Sequence, residues 1–471
     1  MTSAVAAVDL GATSGRVILG HVSANELSIR PVARFPNNPV RTIDGLHWSI
    51  LELYRSVLGG LGAAAREEPL IASIGIDSWA VDYALMRGGR MLGTPYHYRD
   101  ERNLAAVEAA HALVSPSQLY AANGLQHLSF NSLYQFTADR LAGTLELADS
   151  ALLVPDLLAY WLTGRQVAER SNASTTGLVD VATGQWDDGL IARLQLPRSI
   201  FPPLVDAGTP IGFLLPEVAA EIGIDPATAV TSVGSHDTAS AVVAVPATGD
   251  DFAYISCGTW GLVGVELERP ELSEAGRLAN FTNEGGVDGT VRYLHNVMGL
   301  WLLSESVREW ERTEPPISLP ALLAAAAAVP GPVAVFDAND AAFLAPGDMP
   351  ARIADWCREH GERVPQSQAE FARSIIESLA AAFVSAVRTA GTLSGTTVSV
   401  IHIVGGGSQN ELLCQLIADR SGLPVLAGPV EATAIGNVLV QARAAGLVTG
   451  TLASMRALVA TAFPPIVYAP R

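Results

Sequence analysis

Ala4-Val-Ala-Ala-Val-Asp-Leu10, then Gly11-Ala-Thr-Ser-Gly15, then Arg16-Val-Ile-Leu19 form one uninterrupted stretch near the start of the chain. The first part alternates apolar with small or polar residues, the second is a glycine and hydroxyl turn, and the third resumes the apolar run, so the stretch predicts a β-hairpin. The second half of the chain repeats the device. Ala253–Ser256 reads as a strand, Gly258, Thr259 and Gly261 supply a turn, and Leu262–Leu267 reads as the return strand. Two small-residue hairpins, one per half, suggest a duplicated architecture.

Around the hairpins the period of the apolar residues changes. Ile71–Asp77 and Ala229–Val233 read as buried strands, while Ile50–Glu67 and Thr238–Val245 have helical spacing. In the second half Phe371, Ile375, Leu379, Phe383 and Val387 recur every four residues within Ser367–Leu393. A strand over Val398–Val404, a triple glycine, a helix from Ser408 to Arg420 and a strand at Pro424–Leu426 follow. Strand and helix alternate in both halves, which predicts an α/β fold with largely parallel central strands. Pro246-Ala-Thr-Gly-Asp250 has linker composition, so the expected domains are 1–245 and 246–471.

At 471 residues the chain is too long for one ordinary core. The formal charge is −18, and all 29 basic residues are arginine. Without lysine there is no Schiff-base aldolase, pyridoxal phosphate enzyme, P-loop NTPase or protein kinase, since each needs a lysine amine. The acidic balance and the lack of a basic block argue against nucleic acid and anionic membranes. Cys257, Cys357 and Cys414 form no CxxC pair, and Asp9 interrupts the first apolar run, so reduced thiols in the cytoplasm are expected and a signal peptide is not. The alanine run Ala324–Ala328 is too short to span a membrane and predicts a small-residue helix packed on a neighbour.

Four motifs can carry chemistry. Asp9-Leu-Gly-Ala-Thr13-Ser14-Gly15-Arg16 and Cys257-Gly-Thr259-Trp-Gly261 combine glycines with hydroxyls. Either turn can be a plain hairpin, or the pair can cradle phosphates, with the Asp9 carboxylate holding hydrated Mg²⁺. Gly405-Gly-Gly407-Ser-Gln-Asn410 permits close ligand approach but fails the GxGxxG dinucleotide pattern. Gly234-Ser-His236-Asp237-Thr238 places three triad-type residues in succession, where their side chains diverge. No proton relay is expected there. Asp237 suits either a general base facing a ligand or a helix N-cap. Finally, Asp77-Ser-Trp79-Ala80-Val-Asp82-Tyr83 and Tyr98-Arg-Asp-Glu-Arg102 set aromatic faces beside charges, as a polyhydroxylated ligand requires and as a core can equally contain.

Taken in order, DLGATSGR, SIGIDSWAVDY, YRDER, PDLLAYWLTG, GSHDTASAV, ISCGTWGL, NFTNEGG, NVMGLWLL, HIVGGGSQN and AGPVEATAIGN resemble the FGGY carbohydrate kinases, in the branch acting on L-rhamnulose. The resemblance spans nearly the whole chain. It implies two actin-like (ribonuclease H-like) α/β domains with a central cleft, sugar mainly on the first and MgATP mainly on the second. It implies transfer of the ATP γ-phosphoryl to the 1-hydroxyl of L-rhamnulose, with Asp237 as proton acceptor. It also implies that Thr13, Ser14, Gly15, Arg16, Thr259, Ser304, Gly405 and Gly406 meet ATP and that Asp9 positions Mg²⁺ through water. Ala80, Asp82, His236, Thr238 and Asn296 then face the sugar. Ala80 stands where the family often has Gly, and Ser304 where some members have Gln. A kinase for another ketose, such as L-fuculose or L-xylulose, and a non-catalytic sugar-binding regulator are the alternatives.

Overall fold

The computed structural model describes residues 3–312 and 315–471. It divides into two compact units. One comprises 1–248, 266–293 and 432–462, and the other 249–265, 294–431 and 463–471. The first cut falls close to the expected linker, but two later segments return to the first unit, which no composition shift announces.

The sheet of the first unit runs in the order Pro210–Phe213, Ala229–Thr231, Ile71–Ser78, Ser3–Leu10, Ser14–Ser23, Glu26–Pro36. Its three middle strands are parallel, and antiparallel partners flank them. Alternation gives the sheet two different faces. Ala6, Val8, Leu10, Val17, Leu19, Ile74 and Ile76 form one, a continuous apolar core with the helix Ile50–Glu67. Asp9, Arg16, Gly20, Gly75 and Asp77 belong to the other, which the helix Ala432–Ala444 covers. Glycine is required there because a Cβ on Gly20 would meet Val438 at 2.4 Å, and one on Gly75 would meet Asn437 at 2.6 Å. The same helix reaches the helix Asp237–Val243, where a Cβ on Gly436 would lie 1.8 Å from the Ser240 carbonyl oxygen.

In the second unit the strands Phe252–Cys257, Val400–Val404 and Val425–Ala427 are parallel neighbours. Trp260–Leu267 and Ile466–Tyr468 run antiparallel on either side. The long helix spans Gln368–Ser394, started by the Ser367 hydroxyl, which accepts from Glu370 N, and stopped by Gly395 at φ 72°. Gly261 closes on it, since a Cβ there would lie 2.4 Å from the Phe383 ring. The alanine run forms the end of a helix, Leu319–Ala327, that packs on this long one. The predicted helix at Ser408 begins later: Gly406–Gln409 is a 3-10 turn, and Asn410 caps the helix Glu411–Ser421 by accepting from Leu413 N at 3.1 Å.

Candidate active site

The polar end of the first unit's sheet is built by register. Asp9 pairs with Arg16 across the hairpin and with Asp77 on the adjacent parallel strand, so the three side chains share a face. Arg16 Nε lies 3.0 Å from Asp9 Oδ2. Asn437 Nδ2 donates to Asp77 Oδ2 at 2.5 Å, and Gln441 Nε2 donates to Asn437 Oδ1 at 2.6 Å. Burial and then the Asp9 charge push the Asp77 carboxyl well above the usual carboxylate range, with Asp237 adding to the repulsion. Asn437 and Arg16 pull the other way. The turn itself is tied down by backbone: Gly11 N donates to Ser14 O, and Asn37 binds the carbonyls of Gly11 and Thr13. Thr13 is exposed at its tip.

Ser78 N donates to Ser235 O at 2.9 Å, which sets the next segment beside the end of the strand carrying Asp77. His236 occupies the N-cap position, and Asp237 is the first residue of the helix Asp237–Val243. Asp237 is therefore no N-cap. Its side chain is 31% exposed and accepts from Thr238 Oγ1 at 3.0 Å. Ser235 turns away from both, its hydroxyl donating to Glu169 Oε2, which also accepts from Ser235 N and the Ser171 hydroxyl. His236 Nε2 lies 3.5 Å from Asp237 Oδ1, while Nδ1 lies 3.1 Å from Arg292 and 3.2 Å from Glu284 Oε2. Burial opposes ionisation of Glu284, but the Arg292 guanidinium holds its carboxyl below the usual range.

Ala80, Val81 and Asp82 make a tight turn in which Asp82 N donates to Ala80 O and Val81 takes φ 70°. A left-handed β-branched residue is strained by roughly 1–3 kcal/mol. What holds it is the Asp82 carboxylate, which accepts from Trp48 Nε1 at 2.5 Å, Trp79 Nε1 at 3.0 Å, Tyr98 N at 3.2 Å and Gln135 Nε2 at 2.9 Å. Burial still raises its pKa to about 6. Trp79 is thus a buried partner of Asp82. Tyr83 stacks on Phe136 at 3.9 Å and is core.

In the second unit Gly258 N donates to Trp260 O, and the chain leaving the strand Val291–Met298 closes on the same turn through Leu300 N to Gly258 O and Trp301 N to Thr259 O. Asn296 is half-buried on that strand, and Ser304 is exposed on the helix Trp301–Trp310 that follows it. The three glycines differ in role. Gly405 takes φ 82°, and a Cβ there would lie 2.9 Å from Cys257 O. One on Gly407 would lie 2.2 Å from Cys257 Sγ, while Gly406 is exposed with nothing near it.

The profile of the FGGY family of carbohydrate kinases, N-terminal domain, matches residues 4–244, and that of the C-terminal domain matches 253–445. The chain belongs to the FGGY carbohydrate kinases. It is 41% identical over 468 residues to a protein named Rhamnulokinase from Bacteroides thetaiotaomicron, covering 99% of this chain and 95% of that one. It is 42% identical over 472 residues to one of the same name from Pectobacterium carotovorum, covering 99% and 93%. Among solved structures, a gluconate kinase from Lactobacillus acidophilus aligns with a TM-score of 0.81 at 16% identity, covering 100% of this chain and 94% of that one. A xylulose kinase from the same organism aligns at 0.80 and 17%, with the same coverage. At such identities the likeness is one of fold, and that fold is the actin-like pair of α/β domains.

For an FGGY carbohydrate kinase the fit to a divalent cation can be judged on the first unit's sheet. Asp9 and Asp77 face one buried side with Arg16 as the paired cation, and Asp77 Oδ1 is buried without a hydrogen-bond partner. Two carboxyl groups on one face, one with an unpartnered oxygen, make an oxygen donor set of the kind hydrated Mg²⁺ takes. The residues that sequence reasoning missed here are Glu169, Glu284, Arg292, Asn437 and Gln441. Glu284 lies inside the quoted NFTNEGG motif, but nothing in the spacing joins it to His236. Among the described residues no helix is long and apolar enough to cross a membrane.

Proposed function

We propose that the chain transfers the γ-phosphoryl of ATP to the 1-hydroxyl of L-rhamnulose, giving L-rhamnulose 1-phosphate in L-rhamnose catabolism in the cytoplasm. The observation that carries the substrate is the near full-length identity of about two residues in five to relatives named Rhamnulokinase. In this reading the sugar is held mainly by residues 1–245 and the nucleotide mainly by residues 246–471. In this reading Asp237 accepts the hydroxyl proton as the oxygen attacks. Its partial exposure at the end of a parallel strand region supports that role, since a base must reach its substrate while its orientation is fixed. Thr238 orients the carboxylate, and His236, Ala80, Asp82 and Asn296 hold the sugar, Asp82 by fixing the strained turn at Val81. Thr13, Ser14, Gly15 and Arg16 with Thr259, Ser304, Gly405 and Gly406 hold ATP, as glycine turns and hydroxyls do without lysine. Asp9 holds Mg²⁺ through water, and the ion supplies charge neutralisation on the transferring phosphoryl group.

The test is kcat/KM in a coupled ADP-release assay across L-rhamnulose, L-fuculose and L-xylulose. L-Rhamnulose is expected to give the highest value. A higher value for another ketose overturns the substrate, and no turnover with any sugar overturns the reaction.

A further inference from the structure

We propose that Arg292 is a positioning residue whose guanidinium holds His236 as the neutral tautomer with its hydrogen on Nε2, the nitrogen that faces Asp237. A guanidinium stays charged and can only donate. Arg292 is fully buried, its Nε donates to Gly285 O at 3.0 Å, and Nη2 meets His236 Nδ1 at 3.1 Å. Nδ1 must therefore accept, and a ring nitrogen that accepts carries no hydrogen. Glu284 Oε2 lies 3.2 Å from the same nitrogen and 3.1 Å from Arg292 Nη1, but neither approach has hydrogen-bond geometry. The carboxylate balances the guanidinium without taking a proton from the imidazole.

Two consequences follow for the reaction. The one lone pair of the imidazole is engaged by Arg292, so His236 does not compete with Asp237 as a base. The Nε2 hydrogen points toward Asp237 Oδ1 at 3.5 Å, too long for a strong bond, which leaves it free to be shared with a substrate hydroxyl. This role rests on the sugar-kinase reading for what the hydrogen meets. The tautomer does not.

The experiment is a two-bond ¹H–¹⁵N spectrum of the whole protein labelled with ¹⁵N-histidine, without substrate at neutral pH, the His236 signals being assigned by their loss in His236→Gln. The expected spectrum shows Nδ1 as the unprotonated nitrogen and Nε2 as the protonated one. A hydrogen on Nδ1, donated to Glu284, or an imidazolium overturns the proposal. Because removing a buried guanidinium leaves Glu284 unpaired, the variant used is Arg292→Gln with Glu284→Gln. It is expected to mix the two tautomers and to lower kcat at least ~10-fold with KM for ATP unchanged. An unmixed Nε2–H tautomer in the folded double variant also overturns the assignment to Arg292. The expected wild-type spectrum together with no activity on L-rhamnulose overturns the substrate reading alone.

Discussion

Asp9 and Asp77 stand at the same register position on adjacent parallel strands, so two buried carboxylates leave the sheet on one face. Arg16 compensates Asp9 and Asn437 compensates Asp77, yet burial, and after it the Asp9 charge, still drives Asp77 toward its protonated form. Such an arrangement is poor for a resting sheet and good for meeting a cation. Asp9→Asn is expected to raise the Mg²⁺ concentration for half-maximal turnover ~10–100-fold, in the range found when groups behind a metal's water shell are lost. Titrating activity with Mg²⁺ measures it. An unchanged requirement would remove Asp9 from the cation's surroundings.

The triple glycine gives a paired prediction, because its members are glycine for different reasons. Gly407→Ala forces a methyl into Cys257 Sγ and is expected to destabilise the fold by ~1–3 kcal/mol. Gly406→Ala meets nothing and is expected to leave stability within ~0.5 kcal/mol. If adenosine lies over Gly406, that same variant raises KM for ATP. Thermal unfolding and ATP kinetics on the two variants separate packing from binding, and a Gly406→Ala enzyme with unaltered KM would take that glycine out of the nucleotide site.

The hairpins and parallel strands were readable because period-two alternation and helical spacing are local signals. The long helix was found within a residue of its observed ends, because its apolar residues recur every four positions. Asp237 was readable only as one of two roles. What rules out the cap is that His236 takes that position, a matter of backbone angles. The partners of His236 and Asp77 were not readable at all. Glu284, Arg292 and Asn437 reach them from segments far along the chain, and the clue to Asn437's helix was the cluster of small residues around Gly436, whose need for close approach appears only in three dimensions.

Asp82 and His97 make opposite contributions to stability across one pH window, and both touch Trp48. Burial raises Asp82 to about 6 from 3.8, so its favourable contribution is complete below 3.8 and is lost, by about 3 kcal/mol, as pH rises through 6. Burial and the Arg99 charge lower His97 to about 3 from 6.5, so its contribution is present above 6.5 and is lost, by about 5 kcal/mol, as pH falls toward 3. His97 stacks on Trp48 at 4.1 Å, and Asp82 accepts that indole's hydrogen. In the wild type the two slopes offset each other. Denaturant unfolding between pH 4 and about 7 is expected to show a steeper acid loss in Asp82→Asn and a shallower one in His97→Gln than in the wild type. Parallel curves for all three proteins would contradict these ionisations.

Asp237, the proposed base, can be tested with an isosteric substitution. Asp237→Asn preserves the side chain's size and an oxygen to accept from Thr238 Oγ1, so the helix start should survive. What it removes is the capacity to take a proton. A base in this position contributes ~10²–10⁴-fold, so kcat is expected to fall at least ~100-fold while ADP affinity, measured by calorimetry, stays unchanged. The combination matters, because a misfolded variant would lose both. Thr238→Ala supplies the contrast: it frees the carboxylate without removing it, and is expected to cost less in kcat than Asp237→Asn does. If Asp237→Asn turned over at a near-normal rate, the proton would have to leave by another route, and Asp237 would be reduced to a charge that holds the sugar.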